Sequence, residues 1–191
     1  MPAAPRRPRP DRRRRRARAL GAVVGFGLLA VLVALDRAGL LAAPANDVRR
    51  YDGVTAHVLR VVDGDTLIVD VPDVRAGAPA TRIRVWGIDT PELSGAGGGP
   101  EPYALEAARF VEGLAEGRAV TLEIEPHRPR GRYGRVLAHV RLESGQLLGT
   151  AVLRAGLGRA DDRWPHRWMD HYRAAELAAR RAGRGIWGGK E

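Results

Sequence analysis

The chain of 191 residues contains no cysteine and carries a formal net charge of +10 at pH 7. Its length fits one domain with an appendage, and the lack of cysteine excludes disulfides and thiolate metal sites. Nine arginines and one aspartate among residues 1–18 supply +8 of the charge (9 − 1), so the basic balance describes a tail and does not by itself indicate a nucleic-acid-binding surface.

The N-terminal region predicts a membrane-targeting segment. The arginine-rich stretch 1–18 is expected to be a cytoplasmic tail, and it precedes an uncharged apolar run at 19–35. As a helix this run extends about 26 Å, close to the ~30 Å hydrocarbon core of a bilayer. It predicts an uncleaved single-pass anchor in a bacterial membrane or, alternatively, a signal peptide cleaved near Ala45 that leaves the protein secreted. In both cases a linker at 36–50 leads to an extracytoplasmic domain at 51–188.

The first half of that domain is rich in strand patterns. Runs of β-branched and apolar residues are separated by turn sequences such as DGDT at 63–66. Five strands are predicted, at 54–62, 67–71, 81–87, 120–124 and 135–140. Because five short strands cannot all bury both faces in an open sheet, we expect a small closed barrel.

Helical spacing of apolar residues appears between and after these strands. Three helices are predicted, at 104–115, 148–155 and 168–179, and each is followed by a glycine at which a helix can end. The expected fold class is therefore α+β, a five-stranded barrel with three flanking helices, preceded by the N-terminal hydrophobic helix.

Two pairs of carboxylates occur where predicted strands end. Asp63 and Asp65 lie in the DGDT turn, and Asp89 and Glu92 lie in a DTPE sequence where Pro91 ends the strand ladder. Alone, each pair is an ordinary turn with solvated charges. If the barrel brings both junctions together, three or four carboxylates converge and repel one another. A hard divalent cation relieves that repulsion, and oxygen ligands favour Ca²⁺ or Mg²⁺ over zinc.

Arginines accompany these carboxylates. Arg84 precedes the DTPE sequence by five residues, and the sequence GRYGR occupies 131–135. Guanidinium groups near a carboxylate-held metal are typical of phosphoryl transfer, because their donors engage phosphate oxygens in pairs. By itself the GRYGR sequence is an ordinary basic turn. Arg128 and Arg130, just before it, are expected to add local contacts with nucleic acid.

These motifs together resemble a known family. DGDT at Asp63, Arg84 followed by DTPE, Tyr103 with Glu106, and YGR at Tyr133 occur in the order and at the separations of the staphylococcal nuclease (thermonuclease) family, over residues 54–187. The resemblance implies an OB-type five-stranded barrel with three helices. It also implies Ca²⁺-dependent hydrolysis of phosphodiester bonds in DNA and RNA, leaving 3′-phosphate ends.

The resemblance assigns a metal site. Asp65 and Asp89 would ligate Ca²⁺ through their side chains and Thr90 through its backbone carbonyl. Asp63 would lie beside the ion, in contact with it only through water or through its ligands.

The resemblance also assigns catalytic and substrate-binding residues. Glu92 would activate or orient the attacking water, while Arg84 and Arg135 would stabilise the transition state. Arg132 and Tyr133 would contact substrate phosphate. The expected partners are DNA and RNA, with single strands preferred because the backbone must reach the site, and the protein is expected to be monomeric.

One stretch of the chain departs from the family pattern, and the sequence also allows two other classes of function. Where the family has tyrosines that stack on a nucleotide, this chain has the sequence GRADDRWPH, in which Trp164 is either a stacking platform or a packing residue. Asp161 and Asp162 are expected to repel a nucleic-acid backbone. The alternative functions are a non-catalytic OB module that binds nucleic acid or protein, and a structural ectodomain.

Overall fold

The computed structural model of the chain describes residues 27–31, 33, 43–94 and 98–189, with main chain only for 43–46. The chain divides into two compact units, Met1–Ala42 and Ala43–Glu191. In the first unit, residues 27–31 and 33 are helical, whereas the predicted tail at 1–18 and most of the predicted anchor at 19–35 lie outside the described residues. Among the helices formed by described residues, none combines the length and the apolar character that a membrane span requires.

The second unit is built on a closed five-stranded barrel, as predicted. Its strands follow the order β1-β2-β3-β6-β5 around the barrel. β3 and β6 pair in parallel, and the other neighbours pair antiparallel. Two short strands, β4 and β7, form a separate antiparallel ribbon. The bounds are β1 Thr55–Asp63, β2 Thr66–Val69, β3 Thr81–Val85, β4 Ile88–Asp89, β5 Ala119–Ile124, β6 Val136–Leu142 and β7 Arg159–Ala160.

Four α-helices accompany the barrel. The three predicted ones are present as α2 Ala104–Ala115, α3 Leu148–Ala155 and α4 Met169–Arg181, and a 3-10 turn at Gly185–Trp187 follows them. A further helix, α1 Ala43–Tyr51, occupies the second half of the segment predicted as a linker. Helices this short are stabilised mainly by tertiary contacts, and α1 is no exception because Tyr51, at its end, is fully buried.

The barrel core follows from the two-residue period of the strands. In β5, Val120, Leu122 and Ile124 point inward and alternate with partly exposed residues. In β3, Ile83 and Val85 share the buried face as expected, which leaves Arg84 on the opposite face. Replacing a fully buried Leu122 by alanine is expected to cost about 2–5 kcal/mol of stability.

Two strand junctions at one end of the barrel come into contact, and this positions the candidate site. The amide of Val85 donates to the carbonyl of Asp65 at 2.7 Å, which joins the end of β3 to the turn between β1 and β2. The chain then bends at Gly87, whose φ is +77°. A Cβ atom at Gly87 would lie 2.6 Å from His166 Nε2, so both conformation and space require glycine there.

Candidate functional site

The DGDT turn and the DTPE sequence meet through Asp65. Its side chain is buried, and its Oδ2 accepts hydrogen bonds from the amide and the hydroxyl of Thr90, each at 3.0 Å. Close packing makes this contact possible, since a Cβ atom at Gly64 would lie 2.8 Å from both Thr90 Oγ1 and Ala107 Cβ. Asp63 supports the turn from the other side by accepting the Asp65 amide at 3.0 Å. The structure thus brings together the two junctions that the sequence places 25 residues apart.

Arg84 lies between the two aspartates. Its Nη1 contacts Asp65 Oδ1, and its Nη2 donates to Asp89 Oδ1 at 2.6 Å. Burial differs sharply across the trio: the side chains of Asp65 and Arg84 are 1% and 13% exposed, but that of Asp89 is 54% exposed. One cation therefore bridges a buried carboxylate and a carboxylate that is open to solvent.

Arg135 approaches the same carboxylate from β6. Its Nη1 donates to Thr66 Oγ1 at 3.1 Å, and that hydroxyl donates to Asp65 Oδ1 at 3.2 Å. Burial raises the pKa of the neighbouring Asp63, although the Thr66 hydroxyl and the positive charges of Arg84 and Arg135 act in the opposite direction. Around Asp65 the site is thus poorly accessible to solvent, and carboxylates and guanidinium groups are in contact there.

Glu92 follows Asp89 by three residues and has an exposed side chain. Its main chain is held from both directions by Glu101: the Glu92 amide donates to Glu101 Oε2 at 2.9 Å, and the Glu101 amide donates to the Glu92 carbonyl at 3.0 Å. This reciprocal pair closes the glycine-rich loop between the two residues. Glu101 was not singled out in the sequence, because its distance from Glu92 becomes informative only once the loop is known to close.

The expected convergence of three or four carboxylates is wrong for the described part of the chain. Within it, no group of three or more histidine and acidic side chains has an arrangement that could hold a metal ion. Two carboxylates, from Asp65 and Asp89, share Arg84, while Asp63 turns back to the amide of Asp65. The mutual repulsion expected from sequence is thereby met by a guanidinium group.

A pocket of about 500 Å³ opens beside Arg84. The residues that give it its chemistry are Arg84, Arg128, Arg132, Tyr133, Arg163 and Trp164. The Arg128 guanidinium stacks 3.8 Å from the centroid of the half-exposed Trp164 ring, and Arg132 lies 4.8 Å from that of Tyr133. This lining of cations and accessible aromatic faces suits a ligand that carries both phosphate and a planar ring.

The acidic pair near this pocket is compensated, which the sequence did not reveal. Asp161 accepts two hydrogen bonds from the Arg163 guanidinium, at 2.7 and 2.8 Å, and Asp162 pairs with Arg173 at 2.8 Å. The hydrogen bond from Arg163 holds the pKa of Asp161 below its usual range. The expected repulsion of a nucleic-acid backbone is therefore weaker than the isolated DD sequence implies.

Arg130 does not belong to the pocket. Its side chain is 10% exposed and is bound to two buried aspartates, so the expected contact of Arg130 with nucleic acid is wrong. Arg128 and Arg132 do line the pocket, which shows that neighbouring arginines of one loop face different environments.

His139 in β6 is the centre of a buried polar cluster. His139 is fully buried, with Nδ1 3.1 Å from the Tyr172 hydroxyl and Nε2 3.3 Å from Glu125 Oε1. Burial and repulsion from His166 lower the pKa of His139 to about 4, against the attraction of Glu125. His139 was expected on a strand face, but no sequence signal distinguished it from an exposed histidine.

Comparison with known proteins places the chain in a family. Residues 82–189 match the family described as "Staphylococcal nuclease homologue". The chain is 31% identical over 134 residues to a thermonuclease of Staphylococcus hyicus, covering 70% of this chain and 75% of that protein. It is 34% identical over 116 residues to a thermonuclease of Staphylococcus intermedius, covering 61% of this chain and 63% of that protein.

A relative from another bacterium is similar to the chain over a shorter region. The chain is 33% identical over 103 residues to an uncharacterized endonuclease of Escherichia coli, covering 54% of this chain and 58% of that protein. The barrel with its flanking helices, the contact between the DGDT and DTPE sequences, and these similarities lead to one conclusion: the chain belongs to the staphylococcal nuclease family.

Proposed function

We propose that the protein is a Ca²⁺-dependent nuclease that hydrolyses phosphodiester bonds of DNA and RNA and leaves 3′-phosphate ends. The observation that carries this proposal is the trio Asp65, Arg84 and Asp89, placed at the edge of an arginine-lined pocket. Relatives named thermonuclease and endonuclease support the same reaction class.

The oxygen donors at this site are of the kind that binds Ca²⁺. Asp65, Asp89 and the carbonyl of Thr90 offer only oxygen donors, which this hard cation prefers. Both carboxylates attract positive charge, since Arg84 pairs with each; with Ca²⁺ bound there in its place, the guanidinium would be left to the substrate phosphate. When bound there, Ca²⁺ would supply positive charge to a phosphoryl oxygen of the substrate.

The chain's own residues perform the remaining steps. Glu92 accepts a proton from the attacking water, a role that its exposed side chain permits. Arg84 and Arg135 donate hydrogen bonds to phosphate oxygens as negative charge accumulates on them. Arg132 and Tyr133 lie on the pocket and orient the neighbouring phosphate.

Single strands are the preferred substrate in this proposal. The pocket of about 500 Å³ is in the size range of small-molecule sites, so it suits one unstacked nucleotide better than a paired duplex. Arg128 stacked on Trp164 offers a planar surface for a base, which single strands can present without loss of pairing.

Localisation forms part of the proposal. The arginine-rich stretch 1–18 followed by the apolar run 19–35 supports a single-pass anchor, with the nuclease domain outside the cytoplasm. We propose further that the protein is a monomer. Protease added to intact cells should remove the domain from membranes, whereas a secreted form would appear in the medium without residues before about Ala45.

The function is tested by digestion of single-stranded DNA and RNA with the full chain. Cleavage is expected with Ca²⁺, should stop on addition of a chelator, and should return when Ca²⁺ is restored. Products should resist extension by a polymerase until a phosphatase has removed the 3′-phosphate. Glu92→Gln is the matched variant, because it removes the base while keeping the size of the side chain. Binding of DNA without any cleavage would instead support the non-catalytic OB module.

A further inference from the structure

Arg130 forms the most completely satisfied ionic cluster among the described residues. Its Nε and Nη2 donate to the two oxygens of Asp47 at 2.7 and 3.0 Å, and its Nη1 and Nη2 donate to those of Asp73 at 2.7 and 2.9 Å. The side chains of Arg130, Asp47 and Asp73 are 10%, 4% and 7% exposed. The guanidinium is thus held in two paired contacts inside the protein.

The two aspartates come from segments far from Arg130 in sequence. Asp47 belongs to α1, and Asp73 lies in the connection from β2 to β3, at separations of 83 and 57 residues. Asp73 is itself fixed, because it accepts the amide of Arg75 at 3.1 Å and bonds through its main chain to Ala78. The orientation of Arg130 is therefore set by α1 and by the β2–β3 connection together.

The same guanidinium also holds the loop that carries the proposed catalytic arginine. Arg130 Nη1 donates to the carbonyl of Gly134 at 2.8 Å, directly before Arg135. The loop is closed on itself by the amide of Gly131 on the carbonyl of Arg135 and by the amide of Gly134 on that of Gly131, each at 3.0 Å. Gly134 has a φ of +78°, a conformation that glycine adopts without steric cost.

Stability alone is a weak explanation for such a cluster. Buried ion pairs often contribute no more than an apolar group of the same volume, because desolvation offsets the attraction. What a rigid guanidinium fork with four directed hydrogen bonds does provide is a fixed geometry, which lysine cannot reproduce. A displacement of about 1 Å at a catalytic group is enough to lower a rate substantially.

We propose that Arg130 is a positioning residue for the reaction: held by Asp47 and Asp73, it fixes the loop 131–135, and α1 is thereby part of the working nuclease. The proposal rests on the proposed function, in which Arg132, Tyr133 and Arg135 act on the substrate phosphate. It assigns Asp47 a role in turnover although that residue lies outside the pocket.

The test uses the full chain with Arg130→Lys and Asp47→Asn. Arg141→Met is the matched control, since Arg141 pairs with Glu123 and its Nη1 donates to the carbonyl of Gly145, also four residues on, at the other end of β6. Hydrogen exchange of peptides covering 128–137 reports the loop, and kcat and KM are measured on single-stranded DNA well below the melting temperature of each variant.

The expected result is specific to the loop. Arg130→Lys and Asp47→Asn should speed exchange at the loop amides by tenfold or more and lower kcat by about tenfold to a hundredfold. Arg141→Met should leave both within threefold of the parent, even where it lowers the melting temperature. Asp47→Asn is the milder change, because Arg130 keeps Asp73, and it decides the question if Arg130→Lys does not fold.

Two outcomes separate this proposal from the proposed function. Loop exchange and kcat within threefold of the parent in Asp47→Asn and in any folded Arg130→Lys would overturn the positioning role. Faster loop exchange in a protein whose parent form cleaves neither DNA nor RNA would instead overturn the nuclease function, while the constraint of the loop by Arg130 would stand.

Discussion

Arg84 and Arg130 each bridge two aspartates, and they differ in what surrounds them. Arg84 joins Asp65 to Asp89, and the second of these carboxylates is 54% exposed beside a pocket. Arg130 joins Asp47 to Asp73, which are 4% and 7% exposed. The two clusters have the same pair chemistry, and they differ in the access of solvent to one partner.

Replacing Arg84 should have the largest effect on turnover. Arg84→Ala is expected to lower turnover on single-stranded DNA by on the order of 10² to 10⁴, because a donor to the phosphate is lost. Stability should also fall, because the buried Asp65 loses its counter-charge, although it keeps its hydrogen bonds from Thr90 and Thr66. Initial rates and urea unfolding of the same preparation check both parts. Near-parental kinetics would remove Arg84 from the mechanism.

Replacing Arg130 by an apolar residue should lower stability in addition to turnover. Arg130→Met is expected to cost about 3–5 kcal/mol in urea unfolding, because the buried Asp73 loses its counter-charge and Asp47 keeps only Arg75, at 3.4 Å. Neutralising those carboxylates in the triple variant with Asp47→Asn and Asp73→Asn should recover part of that loss. If the triple variant is no more stable than Arg130→Met alone, uncompensated charge is not the cause.

The pH dependence of stability should come chiefly from the histidine cluster behind the pocket. Burial keeps His139 neutral and lowers its pKa to about 4 from an ordinary value of 6.5. The unfolded chain binds more protons between these two values, so stability should fall as pH drops from 6.5 towards 4, at up to about 1.4 kcal/mol per unit. Urea unfolding at pH 7, 6 and 5 measures this slope, and His139→Gln should flatten it.

The smallest expected effect is on substrate binding by Trp164, which lines the pocket. Trp164→Ala should raise KM for single-stranded DNA by roughly fivefold to tenfold, about 1 kcal/mol, because a stacking surface is lost while kcat stays near the parental value. Trp164→Phe is the control that retains an aromatic face. Equal KM values for the alanine variant and the parent would make Trp164 a packing residue.

Local patterns in the sequence predicted the five barrel strands, the three helices after β3 and the contact between DGDT and DTPE. The short strands β4 and β7 were not predicted. Strand alternation and helical spacing are properties of neighbouring residues, and they were confirmed within a few residues. The contact at Asp65 followed from assuming that a small barrel brings strand ends together, which the hydrogen bonds of Thr90 bear out.

Other features had no local signal. Helix α1 has only a short apolar pattern, and its position follows from the burial of Tyr51 and Asp47. Arg130 looked like one more cation in a basic loop, although its partners lie 57 and 83 residues away. The convergence of carboxylates was overestimated because the sequence does not show that Arg84 occupies the space between Asp65 and Asp89.

The sequence by itself determined the fold class, the family and the residue types at the candidate site, because periodicity, turn residues and motif order are all read along the chain. Only the tertiary structure decided which arginine faces a pocket and which is enclosed by aspartates. That distinction depends on burial and on partners distant in sequence, and those arise only when the barrel closes and α1 packs against it.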